Sequence, residues 1–132
     1  MSLNTTWIDD ILRQFGEQLG LPGLGLGPHG VAQLELQAGG LLAVEPAPDG
    51  ADILLYLGRP LGFDGNTVLR NALVRAHHTA AHPTPVQLAV RGDGPDALLL
   101  VLVRVPAREF TIHSLCRAVE YLGRWSDGAR DG

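Results

Sequence analysis

Two stretches, Ile53–Leu57 and Ala97–Val105, are apolar at nearly every position, which is the pattern of a strand buried on both faces. Both are bounded by turn residues, Pro46–Gly50 before the first and Gly92–Asp96 before the second. Neither is long enough to be anything but a strand or a short piece of buried helix, and their Leu and Val content favours the strand. A fold for this chain therefore has to supply cover above and below a sheet.

The remaining segments say how much cover is at hand. From Asn4 to Gly20, Trp7, Ile8, Ile11, Leu12, Phe15 and Leu19 recur at spacings of three and four, the stripe of an amphipathic helix. Thr6 with Asp9 reads as an N-cap pair, Asp9 and Asp10 as a solvated helix start, and Gly20 before Leu21–Pro22 as the stop. Val31–Leu36 alternates with period two, Gly39–Gly40 turns the chain, and Leu41–Glu45 returns, so these form a hairpin that Ile53–Leu57 extends into a three-stranded meander. A second helix begins at Asp64 or Asn66, carries Val68, Leu69, Ala72, Leu73 and Ala76 on one face, and ends before Pro83. Strands Val86–Arg91 and Ala97–Val105 follow, Pro106 breaks the second, and Thr111–Trp125 forms a third helix with Ile112, Leu115, Cys116, Val119 and Leu122 inward. From about Ser126 the chain reads as a polar, frayed tail. The expectation is one α+β domain over residues 1–132, an antiparallel five-stranded sheet with three helices in the order α-β-β-β-α-β-β-α.

Five strands make a sheet about 24 Å wide, and a helix about 10 Å across shields about two of them, so three helices cannot cover both faces. The surplus apolar surface predicts a second chain, either another copy or a partner.

Composition removes whole classes of function. The chain has 45% hydrophobic residues, a formal net charge of −4 and ten basic residues, all Arg. No basic run exists to track phosphates, so nucleic acid is not an expected partner. Without lysine, a P-loop phosphate lysine and Schiff-base chemistry are excluded. Cys116 is the only cysteine, so neither an intrachain disulfide nor a multi-Cys zinc site forms. The start carries no signal-like h-region, and the longest apolar run, Ala97–Val103, is far shorter than the ~20 residues of a spanning helix. A cytoplasmic protein without a membrane span is expected.

Candidate chemistry is sparse. His77, His78 and His82 invite a metal, with His78 and His82 one helical turn apart. The stretch has no carboxylate, no His-Glu-x-x-His pattern, and Pro83 breaks the helix beside His82, so a polar helix end is the favoured reading. Ser2, Ser114 and Ser126 lie in no nucleophile elbow, and Cys116 sits on the inward stripe of its helix as a small hydrophobe. Gly23, Gly25 and Gly27 precede a strand and not a helix, unlike a dinucleotide loop. No catalytic site, cofactor or metal is expected, and the chain is read as a non-enzyme.

The element order, the helix end Phe15-Gly16-Glu17-Gln18-Leu19-Gly20-Leu21, the strand Ile53–Leu57 and the helix stretch Val68-Leu69-Arg70-Asn71-Ala72-Leu73 resemble the class I type III secretion chaperones, the Tir chaperone family, over about residues 4–125. The resemblance implies a small acidic cytoplasmic homodimer from a bacterium, which holds the N-terminal segment of a secreted effector extended before export and uses no ATP. It also implies a two-fold interface on the second helix and fourth strand, with Arg70, Leu73, Val74, Val86, Leu88 and Val90 as candidates. Apolar cargo would lie on the first helix and first hairpin, at Ile8, Leu12, Phe15, Leu34, Leu36, Leu42 and Val44, the last four alternating onto one sheet face. The alternatives are a small metal-dependent enzyme using His77, His78 and His82, or a dimeric regulatory or scaffold domain of the same fold.

Overall fold

The structure, a computed structural model, describes residues 5–36, 39–79 and 84–131. In chain order these form α1 (Thr6–Gln18), β1 (Ala32–Glu35), β2 (Leu41–Pro46), β3 (Asp52–Pro60), α2 (Gly65–His78), β4 (Gln87–Arg91), β5 (Leu98–Pro106), a 3₁₀ turn (Ala107–Glu109) and α3 (Ile112–Asp131). The strands build one five-stranded sheet in the order β1-β2-β3-β5-β4, every pairing antiparallel. This is the α+β order that the sequence predicts. The crossover through α2 puts β5 between β3 and β4 and leaves β1 and β4 as the edges of the sheet.

Helix α1 buries Ile8, Leu12 and Phe15, the core of its predicted stripe. It ends in a Schellman arrangement: the Leu21 amide donates to the Gly16 carbonyl at 2.7 Å and the Gly20 amide to the Glu17 carbonyl at 3.1 Å. Gly20 adopts φ 75° there, the left-handed conformation that this closure requires. The helix start differs from the sequence reading. Thr5 precedes the first turn and makes no side-chain cap. Asp9 is not simply solvated, because its Oδ1 accepts the Leu26 amide at 2.8 Å and ties the glycine-rich loop to the helix.

Register explains which side of the sheet is covered. Leu34 lies opposite Leu42, Val44 opposite Leu55, and Leu55 opposite Val103, so one face gathers Ala32, Leu42, Val44, Ile53, Leu55, Leu57, Leu99, Val101 and Val103. All of these join a single core with Ile8, Leu12 and Phe15 of α1, Val68 and Ala72 of α2, and Leu115, Leu122 and Trp125 of α3. The three helices thus share one face of the sheet.

The predicted polar tail is instead helix. Residues Ser126 to Asp131 continue α3, with Ser126 and Ala129 buried at 4% and 1% exposure. Asp127 accepts from Arg59, and Arg130 donates to the Pro60 carbonyl, so the end of β3 holds the last turns of the helix. At the other end, Thr111 and Ser114 exchange bonds in a capping box: the Thr111 amide donates to Ser114 Oγ at 2.8 Å and the Ser114 amide to Thr111 Oγ1 at 3.1 Å.

Candidate partner-binding surfaces

The opposite face of the sheet carries Leu41 and Ala43 of β2, Tyr56 of β3, and Leu98, Leu100 and Leu102 of β5, which pack together in a second apolar cluster. Among the described residues no helix contributes to it. Gly58 gives the surface its shape, because a Cβ there would stand 2.7 Å from Leu100 Cδ2 and 3.3 Å from Leu41 Cγ. Leu100 therefore lies down across the backbone of β3, and the face becomes a shallow apolar floor. A cleft of about 410 Å³ crosses it toward β4, lined by Leu100 and Leu102 below and by Glu45, Gln87 and Arg91 at the rim. Tyr56 stands in this cleft. Burial, with a smaller contribution from the nearby Glu45 carboxylate, holds its phenol above the usual value near 10, although a hydrogen bond to Arg91 and that residue's charge act in the other direction.

A second surface runs along α2 and the edge strand β4. Phe63, just before α2, is 96% exposed, and Leu73, Val74 and Val90 are 56%, 51% and 46% exposed. Leu73 falls outside the buried stripe of its helix, where only Val68 and Ala72 are fully covered. Arg70 is exposed beside it, whereas Val86 and Leu88 are partly buried against the core.

The cargo residues expected from the sequence lie in α1 and the first hairpin, on the helix side of the sheet. Leu34 and Leu42 do share a sheet face, as their alternation predicts, but it is the helix-covered face. Ile8, Leu12, Phe15, Leu42 and Val44 are each 5% exposed or less, so in this conformation their side chains belong to the core. Leu34 is partly buried, and Leu36, beyond the end of β1, is 37% exposed. The sequence reading did not single out the cluster of Leu41, Ala43, Tyr56, Leu98, Leu100 and Leu102. Their signal was present in the two-faced apolar pattern of β3 and β5.

His77 and His78 lie edge to face with ring centroids 5.8 Å apart at the end of α2, and His82 and Pro83 lie outside the described residues. Among the described residues no three His, Cys, Asp or Glu side chains come together as metal ligands. Ser114 is engaged in the α3 cap, and Cys116 is partly buried with its Sγ 3.7 Å from Gln18 Oε1. No helix among the described residues is long and apolar enough to cross a membrane.

Comparison with known structures supports the fold. The chain is similar to a chain in the HopA1–SchA chaperone–effector complex, with a TM-score of 0.73 at 16% identity over 100% of this chain and 99% of that one. A chain of the ExsC–ExsE complex gives a TM-score of 0.72 at 18% identity, covering 95% and 92% of the two chains. The Yersinia pestis type III secretion chaperone SycH, solved with a stable fragment of YscM2, gives 0.59 at 14% identity over 89% and 95%. No sequence among the curated proteins matches the chain. The family described as the type III secretory system chaperone SycN matches residues 7–128, nearly the whole sequence. The chain therefore belongs to the SycN family of type III secretion chaperones.

Proposed function

We propose that this chaperone acts by binding alone, holding an extended segment of a secreted effector against the helix-free face of its sheet. The observation that carries the reading is the apolar floor of Leu41, Ala43, Tyr56, Leu98, Leu100 and Leu102, which no helix of the chain covers among the described residues. A segment with alternating apolar side chains fills such a floor, and the rim at Glu45, Gln87 and Arg91 offers hydrogen bonds at the margin. The structural neighbours SchA–HopA1 and ExsC–ExsE are complexes of this fold with a second protein, the first named as an effector, which agrees with a polypeptide partner. No turnover and no nucleotide are needed, because the ordering of the bound segment is offset by apolar burial.

The same reading makes the protein a homodimer through α2 and β4, where Leu73, Val74 and Val90 are left exposed and Arg70 stands beside them. Val86 and Leu88 would back this interface from the core side. The experiment is co-expression with a candidate effector from the same bacterium. Leu100→Asp with Leu102→Asp should abolish effector co-purification while the protein still unfolds in one cooperative melt and keeps its sedimentation coefficient. Leu73→Asp with Val74→Asp should instead halve the mass in sedimentation. Full effector recovery with the sheet-face variant, or a parent protein that sediments as a monomer at micromolar concentration, would sink the corresponding half of the proposal.

A further inference from the structure

A cleft of about 550 Å³ opens where the end of β5 and the 3₁₀ turn meet the outer face of α3, far in character from the apolar sheet face. Arg104, Arg117, Arg124 and His113 line it, with Glu109 and Glu120 alongside. The lining thus sets three arginines against two glutamates in a chain whose net charge is −4, so here arginine outnumbers carboxylate. Arg104 is already engaged, its Nη1 3.6 Å from Asp52 Oδ2 and its Nε 3.4 Å from Gln87 Oε1. Arg117 and Arg124 are exposed, and among the described residues neither forms an ion pair. The Tyr121 hydroxyl, between them along the helix, donates to the Thr84 carbonyl at 3.1 Å and closes one wall of the cleft with the chain that leads into β4.

Arg117 and Arg124 are seven residues apart on one helix, which puts them on the same face and about 10.5 Å apart along the axis. Groups spaced like this do not converge on one compact anion, and Glu109 and Glu120 beside them oppose a dense polyanion such as nucleic acid. An extended polypeptide matches better, since a polyproline II segment rises about 3.1 Å per residue and returns to the same side every three residues, about 9.3 Å. We infer that this cleft docks an acidic, extended segment of a partner protein, two of whose carboxylates, three residues apart, pair with Arg117 and Arg124. Guanidinium and carboxylate then form charge-assisted bonds, and the contact is electrostatic where the sheet-face contact is apolar.

The probe is a fluorescein-labelled peptide of four Glu-Ala-Pro repeats, titrated with the full chain and followed by anisotropy, with a Lys-Ala-Pro peptide of the same length as control. Saturable binding of the acidic peptide alone is expected, weakening steeply with added salt. Arg117→Glu with Arg124→Glu should weaken it at least about tenfold, and Arg117→Gln with Arg124→Gln, which avoids any new like-charge contact with Glu120, should weaken it in the same direction. The Leu100→Asp, Leu102→Asp variant should bind the peptide as the parent does, so failure of the sheet-face reading leaves this result standing. Absence of saturation, unchanged binding by the glutamine variant with a normal melt, equal binding of the lysine peptide, or displacement by inorganic phosphate at concentrations matching the peptide would each overturn the inference.

Discussion

The guanidinium of Arg75 on α2 lies over the indole of Trp125 on α3, 5.5 Å from the ring centroid. Trp125 is 2% exposed and its Nε1 donates to Thr79 Oγ1 at 3.4 Å, so the pair ties the end of α2 to the middle of α3. Gly128 makes room for it, because a Cβ at that position would stand 2.6 Å from Arg75 Cζ.

That spacing separates two glycines of the same helix. A Cβ at Gly123 meets nothing within 4 Å, so Gly123→Ala should stabilise the protein by about 0.8–1 kcal/mol through helix propensity alone. Gly128→Ala should fall short of that gain by about 0.5–2 kcal/mol, as the guanidinium is displaced from the indole. Urea unfolding of the two variants checks the difference, and equal gains would show that the Arg75–Trp125 contact contributes nothing.

Gly16 is predicted to behave oppositely to an open helix position. Its added Cβ would stand 2.5 Å from the Leu21 carbonyl oxygen and 2.9 Å from Leu24 Cβ, and the former is main chain locked by the Leu21-to-Gly16 bond of the helix end. Gly16→Ala should therefore destabilise by about 1–3 kcal/mol despite its better propensity. A stabilised variant in thermal melts would contradict the close approach at this helix end.

The two faces of the sheet should respond differently to truncation. Leu42 is 5% exposed beneath the helices, and Leu42→Ala should cost about 2–5 kcal/mol. Leu100 and Leu102 are only partly buried, so truncating either to Ala should cost less than half as much in the same denaturation experiment. If Leu42→Ala left stability intact and weakened only partner binding, the covered and open faces would have to be exchanged.

Tyr56 gives a pH dependence. Burial and Glu45 hold its phenol above the value near 10 that it has in the unfolded chain. As pH rises through about 10, the unfolded chain loses its proton first, and stability is lost with increasing pH. Below that range the contribution is fully present. The stability of the parent minus that of Tyr56→Phe should be flat up to about pH 9 and then decline; a difference that rises or stays flat to about pH 11 would refute the burial of this hydroxyl.

Much of the fold was legible because it rests on local rules. The stripe of α1 gave Ile8, Leu12 and Phe15 as its inward face, Gly20 marked its end, and the period-two patterns of β1 and β2 put Leu34 with Leu42. These follow from backbone geometry, which repeats every 3.6 residues in a helix and every two in a strand regardless of what lies nearby. The last turns of α3 were not legible, because Ser126-Asp127-Gly128 is polar and poor in helix formers, and what holds it in place is far away in sequence: Arg59 and Pro60 bind its side chains, and Ala129 packs into the core.

The sequence by itself determined the number and order of the elements, their antiparallel pairing and the existence of more apolar surface than three helices can cover. Which face stays open was decided by the tertiary structure. Leu41 and Leu42, Ala43 and Val44, and Leu99 and Leu100 are apolar neighbours pointing to opposite sides of the sheet, so alternation carries no sign that distinguishes core from surface. The crossover that places β5 beside β3 and brings all three helices to one side of the sheet resolves that ambiguity, and with it turns Leu42 into core and Leu100 into a candidate contact.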